Sequence, residues 1–188
     1  MKKLVLSALV AVCTLSASAQ SWVGGEVGFN SSTTKLGGAK TTATTFTVAP
    51  EVGFTLNDKI DLAVQVGYGH ASHNDKILGA EIGDFERANA VEVHPYVRYT
   101  YARTGALSFF IDGGLNYATA HVKGFDKNAN TFGVGFQPGL AYGLGEKVTL
   151  VAHLGDISYN HTKWGNLKND QFNLGFTNAI TFGVYFGL

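Results

Sequence analysis

The last 17 residues of the chain alternate between large apolar side chains and small or polar ones, with one exception at Asn178. Because successive side chains of a strand point to opposite faces, this period of two predicts an extended strand with one apolar face. That face carries Phe172, Leu174, Phe176, Ile180, Phe182, Val184, Phe186 and Leu188. The segment exceeds the usual strand length of about 5–6 residues. A long strand with one oily and one polar face is typical of a barrel wall in lipid.

The same alternation recurs in seven earlier segments. Together they predict eight strands, at residues 22–29, 44–56, 60–70, 87–101, 107–118, 131–142, 148–159 and 172–188. The alternation slips at Gly155-Asp156, which predicts a β-bulge. The sequence therefore predicts an all-β fold, an eight-stranded antiparallel up-and-down transmembrane β-barrel.

The connections between these strands alternate in length. Those at 57–59, 102–106 and 143–147 are short, whereas those at 30–43, 71–86, 119–130 and 160–170 are long and polar. Outer-membrane barrels have short periplasmic turns and long external loops. An even number of strands then puts both termini at the short-turn rim, which we expect to lie in the periplasm.

The first 19 residues have the order of a secretion signal: Lys2 and Lys3, an apolar stretch at 4–15, and small residues before Gln20. We predict a signal peptide at 1–19 and one barrel domain at 20–188. The apolar stretch is shorter than the roughly 20 residues that span a bilayer as a helix. Without Lys2 and Lys3 the chain has 12 basic against 14 acidic residues, so no nucleic-acid partner is expected.

The apolar face holds more large aromatic side chains than an eight-stranded bore could contain, so we expect it to face lipid. Its aromatics gather near both strand ends, with aliphatic residues between them, as in the two aromatic girdles of membrane barrels. All three prolines, Pro50, Pro95 and Pro138, follow one pattern: apolar, any, Pro, any, aliphatic, any, aromatic. Because proline cannot donate to the ladder, this repeat predicts a built-in bulge or bend.

The polar face predicts a charge network inside the barrel. Pairing about the turn at 102–106 places Arg98 diagonal to Asp112, within side-chain reach. The predicted network comprises Arg98, Asp112, Glu51, Glu92, His94 and Gln137. One interpretation is a satisfied network that plugs a small barrel. The other is a narrow cation-preferring conduit, since carboxylates outnumber cations there.

Three segments, at 95–99, 137–142 and 184–188, resemble the small eight-stranded outer-membrane β-barrel family of OmpA-type and OmpX-type barrels. The resemblance covers the whole mature chain. It implies a Gram-negative outer membrane, with a role in envelope integrity or adhesion and a possible small-solute pore. It also implies contact with outer-membrane lipids, lipopolysaccharide and the barrel-assembly machinery. Members usually end in Phe as part of the assembly signal, whereas this chain ends in Leu188.

Two other functional classes stay open. A lipid-modifying hydrolase would use His70 and Ser72 with Glu81 or Glu86, since such barrels combine a His, a Ser and an acid near the membrane surface. A secreted, soluble lipocalin-like carrier would invert the faces and hold an apolar ligand inside. Against both, we predict a non-enzymatic membrane barrel without catalytic residues, bound metal or cofactor.

The long connections are the remaining candidates for an extracellular partner. They carry seven lysines interspersed with acidic residues: Lys35, Lys40, Lys76, Lys123, Lys127, Lys163 and Lys168. Trp164, beside Gly165, stands at the tip of one connection. An indole there either packs within the loop or binds a partner or a lipid headgroup.

Overall fold

In the computed structural model of the protein, residues 20–36, 39–77, 80–123, 127–175 and 181–188 are described, with side chains except at 30, 32–41 and 73–86. These residues form ten strand segments: β1 Gln20–Leu36, β2 Ala39–Asn57, β3 Ile60–Ile77, β4 Ala80–Thr104, β5 Leu107–Val122, β6 Ala129–Gly143, β7 Val148–His153, β8 Asp156–Trp164, β9 Leu167–Gly175 and β10 Thr181–Gly187. None of the described residues forms a helix long and apolar enough to cross a membrane.

From β1 to β6 each segment pairs antiparallel with the next one along the chain, and β1 pairs with β10 to close the sheet. Both β7 and β8 pair with β6, while β9 pairs with β8 and β10 pairs with β7. The ten segments therefore occupy eight positions around the wall. The predicted eight-stranded up-and-down barrel is confirmed. Closure matters in a membrane because it leaves no unpaired sheet edge in hydrocarbon.

The strands are longer than the sequence predicted at the rim of the long connections. The β1–β2 ladder runs without a break from Gln20 opposite Thr55 to Leu36 opposite Ala39. β4 has 25 residues, whereas a bilayer needs only about 9–11 in a tilted strand. The prediction of long loops is wrong for most of these residues, because their backbone groups are bonded in projecting hairpins. We call this end the hairpin rim and the other the turn rim.

Local chemistry defines the tight turns. At the turn rim, Asn57 Oδ1 accepts hydrogen bonds from the backbone nitrogens of Lys59 and Ile60, at 2.9 and 3.1 Å. Such an Asx turn substitutes a side-chain oxygen for a backbone carbonyl. Gly105 has φ of 58° between β4 and β5, and Gly165 has φ of 62° between β8 and β9. Glycine adopts this left-handed conformation without the steric cost that other residues bear.

Each proline coincides with a two-residue gap in one ladder. The β2–β3 ladder lacks partners at Ala49 and Pro50, and the β4–β5 ladder lacks them at His94 and Pro95, without a register shift in either case. At these two sites the predicted bulge is replaced by a simple gap, because the missing N–H removes a bond without adding a residue. At Pro138 the register between β6 and the β7–β8 wall does shift by one residue.

That shift explains the slip in alternation near Gly155. Gly139 stands opposite His153, and three residues earlier Phe136 stands opposite Ile157, so the β7–β8 side has one extra residue. The interruption lies at Leu154 and Gly155, between β7 and β8. The Leu154 N–H donates to the carbonyl of Pro138 at 2.9 Å. The extra residue restores the apolar side chains of β8 to the outer face.

The apolar face points outward. The exposed side chains include Val27, Phe29, Tyr68, Val91, Tyr117, Phe132, Tyr159, Phe172, Phe182 and Phe186. One aromatic residue at an apolar-face position of β2, Phe54, is by contrast only 5% exposed. The interior contains charged side chains and a small aromatic cluster. This distribution is the opposite of a carrier with an apolar ligand inside, and it suits a wall in lipid.

Candidate functional site

Arg98 lies at the middle of the bore and pairs across the sheet with an aspartate on each side. It stands opposite Asp61 of β3 and directly opposite Asp112 of β5. The sequence had placed Asp112 diagonally. A one-residue register shift between Thr100 and Ala102 corrects that prediction, because it slides β4 past β5 above the turn.

Asp112 contacts two basic side chains, those of Arg98 and His153. Arg98 donates from Nε to Asp112 Oδ1 at 2.8 Å and from Nη2 to Oδ2 at 2.7 Å. His153 Nε2 lies 2.8 Å from the same Oδ2, and His153 Nδ1 lies 2.7 Å from Glu26 Oε1. Arg98, Asp112, His153 and Glu26 thus form a continuous chain across the bore. The paired fork geometry of Arg98 and Asp112 is the strong form of a charge-assisted bond.

Aromatic rings enclose the Arg98 guanidinium. Its Cζ lies 3.8 Å from the centroid of the Phe110 ring and 5.2 Å from that of Tyr185. Trp22 stacks on Tyr185 with ring centroids 4.4 Å apart. Arg98 Nη2 also donates to the Tyr185 hydroxyl at 3.2 Å. A cation over aromatic faces is attracted by their quadrupoles, most strongly where water is excluded.

Glu51 extends this network toward β3 and β4. Its Oε2 accepts hydrogen bonds from the Tyr96 hydroxyl at 3.1 Å and from Gln65 Nε2 at 3.3 Å. Tyr96 also lies close to the Arg98 guanidinium, with 5.6 Å from Cζ to its ring centroid. The carboxylate of Glu51 is therefore tied to the same cage. We call the set Trp22, Glu26, Glu51, Tyr96, Arg98, Phe110, Asp112, His153 and Tyr185 the central plug.

The central plug separates two cavities in the bore. The cavity toward the hairpin rim, of about 460 Å³, is lined by Glu92, His94 and Gln137 among other residues. The cavity toward the turn rim, of about 330 Å³, is lined by Asp61. Of the six predicted network residues, the structure thus joins Arg98, Asp112 and Glu51. It places Glu92, His94 and Gln137 in the wider cavity, with the His94 ring near that of Tyr96.

The prediction omitted the aromatic half of the plug. Trp22, Tyr96, Phe110 and Tyr185 all lie on the inward face and are at most 9% exposed. They were detectable as large rings at positions where neighbouring inward residues are small or polar. Their number stays small because an eight-stranded bore has room for only a few such side chains.

The geometry around His70 differs from that of a hydrolase. His70 Nδ1 lies 2.8 Å from Asn89 Oδ1, and the Tyr68 hydroxyl donates to the same oxygen at 2.9 Å. The group that orients His70 is an amide, whereas a catalytic histidine is oriented by an acid in the predicted triad. The side chains of Glu81 and Glu86 lie outside the described ones. Within the described ranges, no group of three or more His, Asp or Glu residues is placed to hold a metal ion.

Trp164 packs within the hairpin rim. Its Nε1 donates to the backbone carbonyl of Lys127 at 2.8 Å, which ties the β8–β9 turn to the β5–β6 connection. The side chain is partly buried. This contact favours the loop-packing interpretation of Trp164.

Residues 4–178 match the family model described as the outer membrane protein beta-barrel domain. The chain belongs to this family. It is an outer-membrane β-barrel protein, as the closed wall and its apolar outer face require. No curated relative matches the chain in sequence.

Solved structures resemble this barrel. Neisserial surface protein A is 18% identical, with a TM-score of 0.50 over 90% of this chain and 96% of that one. A major outer membrane protein of Thermus thermophilus is 18% identical, with a TM-score of 0.48 over 91% and 100%. The N-terminal β-barrel domain of Pseudomonas aeruginosa OprF is 15% identical, with a TM-score of 0.43 over 91% and 100%. At 18% identity, the likeness to the first of these shows the fold alone.

Proposed function

We propose that the protein is a structural, non-enzymatic barrel of the outer membrane whose bore is closed by the central plug. The observation that carries this proposal is the Arg98–Asp112 pair. Asp112 is 2% exposed and Arg98 5% exposed, and both fork bonds are shorter than 3 Å. Aromatic rings fill the space around the guanidinium. A conduit for ions would instead need a hydrated path through this level.

The test is the conductance of the purified protein in a planar lipid bilayer. We expect the native barrel to pass no steady current. Replacing two residues of the central plug in the variant Arg98→Ala/Phe110→Ala should open a small, persistent conductance, because it removes the guanidinium and the ring that packs against it. The matched control is Arg103→Ala, an exposed arginine at the turn rim, which should stay closed. A steady conductance of the native barrel would refute a closed bore.

The hairpins support one orientation of the barrel in the membrane. Both ends of the described wall, at Gln20 and Leu188, lie at the turn rim, which in this proposal faces the periplasm. The hairpin rim then projects from the cell, surrounded below by lipopolysaccharide, and is available to an extracellular partner. Tags placed in the β8–β9 turn at Asn166 should be accessible to antibody on intact cells. Tags at Gly145 should become accessible only after the membrane is permeabilised, and the reverse result would invert the barrel.

We also expect the barrel-assembly machinery to recognise the chain and insert it into the membrane. The chain ends in Leu188, whose N–H donates to the Ser21 carbonyl at 2.9 Å and whose side chain is exposed. A terminal Phe in place of Leu188 adds aromatic surface at the position that members of the family use for recognition. Leu188→Phe should therefore raise the rate of assisted insertion, measured by heat-dependent gel mobility. An unchanged rate of assisted insertion would show that residue 188 is not part of the assembly signal.

The non-enzymatic part of the proposal has its own test. Purified protein should release no fatty acid from lipid A, and Ser72→Ala should behave like the native chain. The His70–Asn89 bond supports this expectation because the imidazole partner is an uncharged amide. Deacylation that is lost in Ser72→Ala would restore the hydrolase hypothesis.

A further inference from the structure

The outer face of the β8–β9 hairpin changes from apolar to cationic along its length. Four cross-strand pairs lie on that face in order toward the tip: Ile157 opposite Leu174, Tyr159 opposite Phe172, His161 opposite Asp170, and Lys163 opposite Lys168. In order toward the tip, the four pairs are therefore aliphatic, aromatic, polar and basic. This is the order met on leaving a bilayer, from hydrocarbon through the interface to the headgroups.

Two lysines stand directly opposite each other near the tip of this hairpin, as Lys35 and Lys40 do in the β1–β2 ladder. Lys163 and Lys168 are both exposed. Thr162, the residue just before Lys163, bonds Thr131 on the inward face with 2.8 Å between their hydroxyl oxygens. Because successive side chains of a strand alternate, Lys163 lies on the outward face. Like charges at directly paired positions destabilise a hairpin. An anion between the two ammonium groups would reverse that effect.

A third lysine, Lys127 of the β5–β6 connection, lies beside the tip of this hairpin. A Cβ built on Gly165 would lie 3.9 Å from Lys127 Nζ, so this ammonium group stands beside the β8–β9 turn. The Trp164 bond to the Lys127 carbonyl holds the two segments together. Cations at 127, 163 and 168 therefore occur within one small region of the hairpin rim.

The nearby carboxylate is already engaged. Asp170 Oδ1 lies 2.7 Å from His161 Nδ1 and accepts a hydrogen bond from the Tyr159 hydroxyl at 2.8 Å. The hydrogen bond from His161 holds the pKa of the Asp170 carboxyl below its usual range, and Tyr159 adds to this effect. Among the described side chains of this region, one carboxylate thus stands against two paired lysines and a third beside them, which leaves a net positive charge on those residues.

The height of the patch matches a headgroup. Lys163 lies four positions beyond Tyr159, a rise of roughly 14 Å along a strand. At the usual tilt of about 35–45° this is about 10 Å along the membrane normal. Lysine stems can bend back toward the interface from that level. We propose that Lys163 and Lys168, with Lys127 beside them, bind a phosphate group of lipopolysaccharide in the outer leaflet.

This site rests on the orientation in the proposed function, with the hairpin rim outside. The test uses the full-length barrel folded in neutral detergent, with folding checked by its heat-dependent shift in gel mobility. Native mass spectrometry then measures binding of bis-phosphorylated lipid A and of the same lipid after its phosphates are removed. The variant is Lys163→Gln/Lys168→Gln. The matched control, Lys59→Gln/Lys147→Gln, removes two exposed lysines at the turn rim.

We expect the variant to bind phosphorylated lipid A about 30-fold more weakly, the value that two basic residues near an anionic surface give at about 1 kcal/mol each. The control should bind like the native barrel, and the dephosphorylated lipid should not distinguish the three proteins. Lys163→Arg/Lys168→Arg should restore binding because both charges remain.

Three results would overturn the site. Equal binding of phosphorylated lipid A by the variant and the native barrel would show that Lys163 and Lys168 do not bind the lipid phosphate. Displacement of the lipid by inorganic phosphate at equal phosphate concentration would assign the pair to free phosphate. A native chain that shows no heat-dependent shift would refute the membrane barrel itself, and the site with it. Loss of binding in the variant with an unchanged heat-dependent shift supports the site alone.

Discussion

The Arg98–Asp112 pair gives the sharpest test of the central plug. Its two fork bonds, at 2.8 and 2.7 Å, are charge-assisted and buried. Hydrogen bonds to charged groups contribute about 1.5–3 kcal/mol each. Removing one partner of a buried pair leaves the other charge uncompensated and costs about 3–5 kcal/mol. We therefore expect Asp112→Ala, which leaves Arg98 and His153 without their shared carboxylate, to lower the free energy of unfolding by about this amount. Arg98→Ala should cost less, because Asp112 keeps its contact with His153.

The double variant Arg98→Ala/Asp112→Ala separates the energy of the Arg98–Asp112 interaction from the cost of burying each charged group alone. With both side chains gone, no uncompensated charge of this pair remains, so the double variant should lose less than the two single variants together. Contacting residues in one network couple by about 0.5–3 kcal/mol, and we expect the upper end here because two bonds are shared. His153 then keeps Glu26 as its partner, at 2.7 Å.

The assay is unfolding by urea in lipid vesicles, followed by gel mobility without boiling and by tryptophan fluorescence. Asp58→Ala and Arg103→Ala, singly and together, are the matched control because both side chains are exposed at the turn rim. Each should change the free energy of unfolding by less than about 0.5 kcal/mol. A coupling below about 0.5 kcal/mol between Arg98 and Asp112 would refute the plug as a stabilising network.

Two further substitutions test the packing inside the bore and the contact of the outer wall with lipid. In Gly139→Ala the new Cβ would lie 2.4 Å from the buried Phe110 ring and 2.8 Å from a backbone oxygen. The urea titration should show a loss of about 1–3 kcal/mol, whereas Gly145→Ala, with nothing within 4 Å, should be neutral; equal effects would contradict the packing. Val97→Arg places a charge on the outer wall between the aromatic girdles and should cost about 2–4 kcal/mol. The same charge in Leu144→Arg, at the short turn, should cost far less, and equal losses would contradict a lipid-facing wall.

The alternation of side chains was sufficient to predict the wall. Period two in segments such as 172–188 gave the class of fold, the number of strands and the face that carries the apolar residues. The physical reason is that a strand presents alternate residues to two sides, and one side here meets lipid while the other fills a narrow bore. Even the slip at Gly155 was visible, because an extra residue reverses the alternation.

Pairing between strands was only partly predictable. Counting from the turn at 102–106 made Arg98 diagonal to Asp112, but the register shift between Thr100 and Ala102 brings them face to face. A bulge adds a residue to one strand through backbone geometry that leaves little trace in residue types. The length of the hairpins was missed for a related reason. The polar segment 30–43 looks like a loop, yet its residues 30–36 pair with residues 39–45 once the wall below them sets the register.

The sequence by itself determined that this chain forms a closed membrane wall with an inward charged lining. Only the tertiary structure decided which lining residues meet. Arg98 binds Asp112, His153 joins Asp112 to Glu26, and Phe110 and Tyr185 enclose the guanidinium, whereas Glu92 and Gln137 line a cavity instead. Side chains from strands far apart in the chain converge at one level of the bore because the wall curves and closes. That level depends on strand stagger, which the alternation of a single strand does not encode.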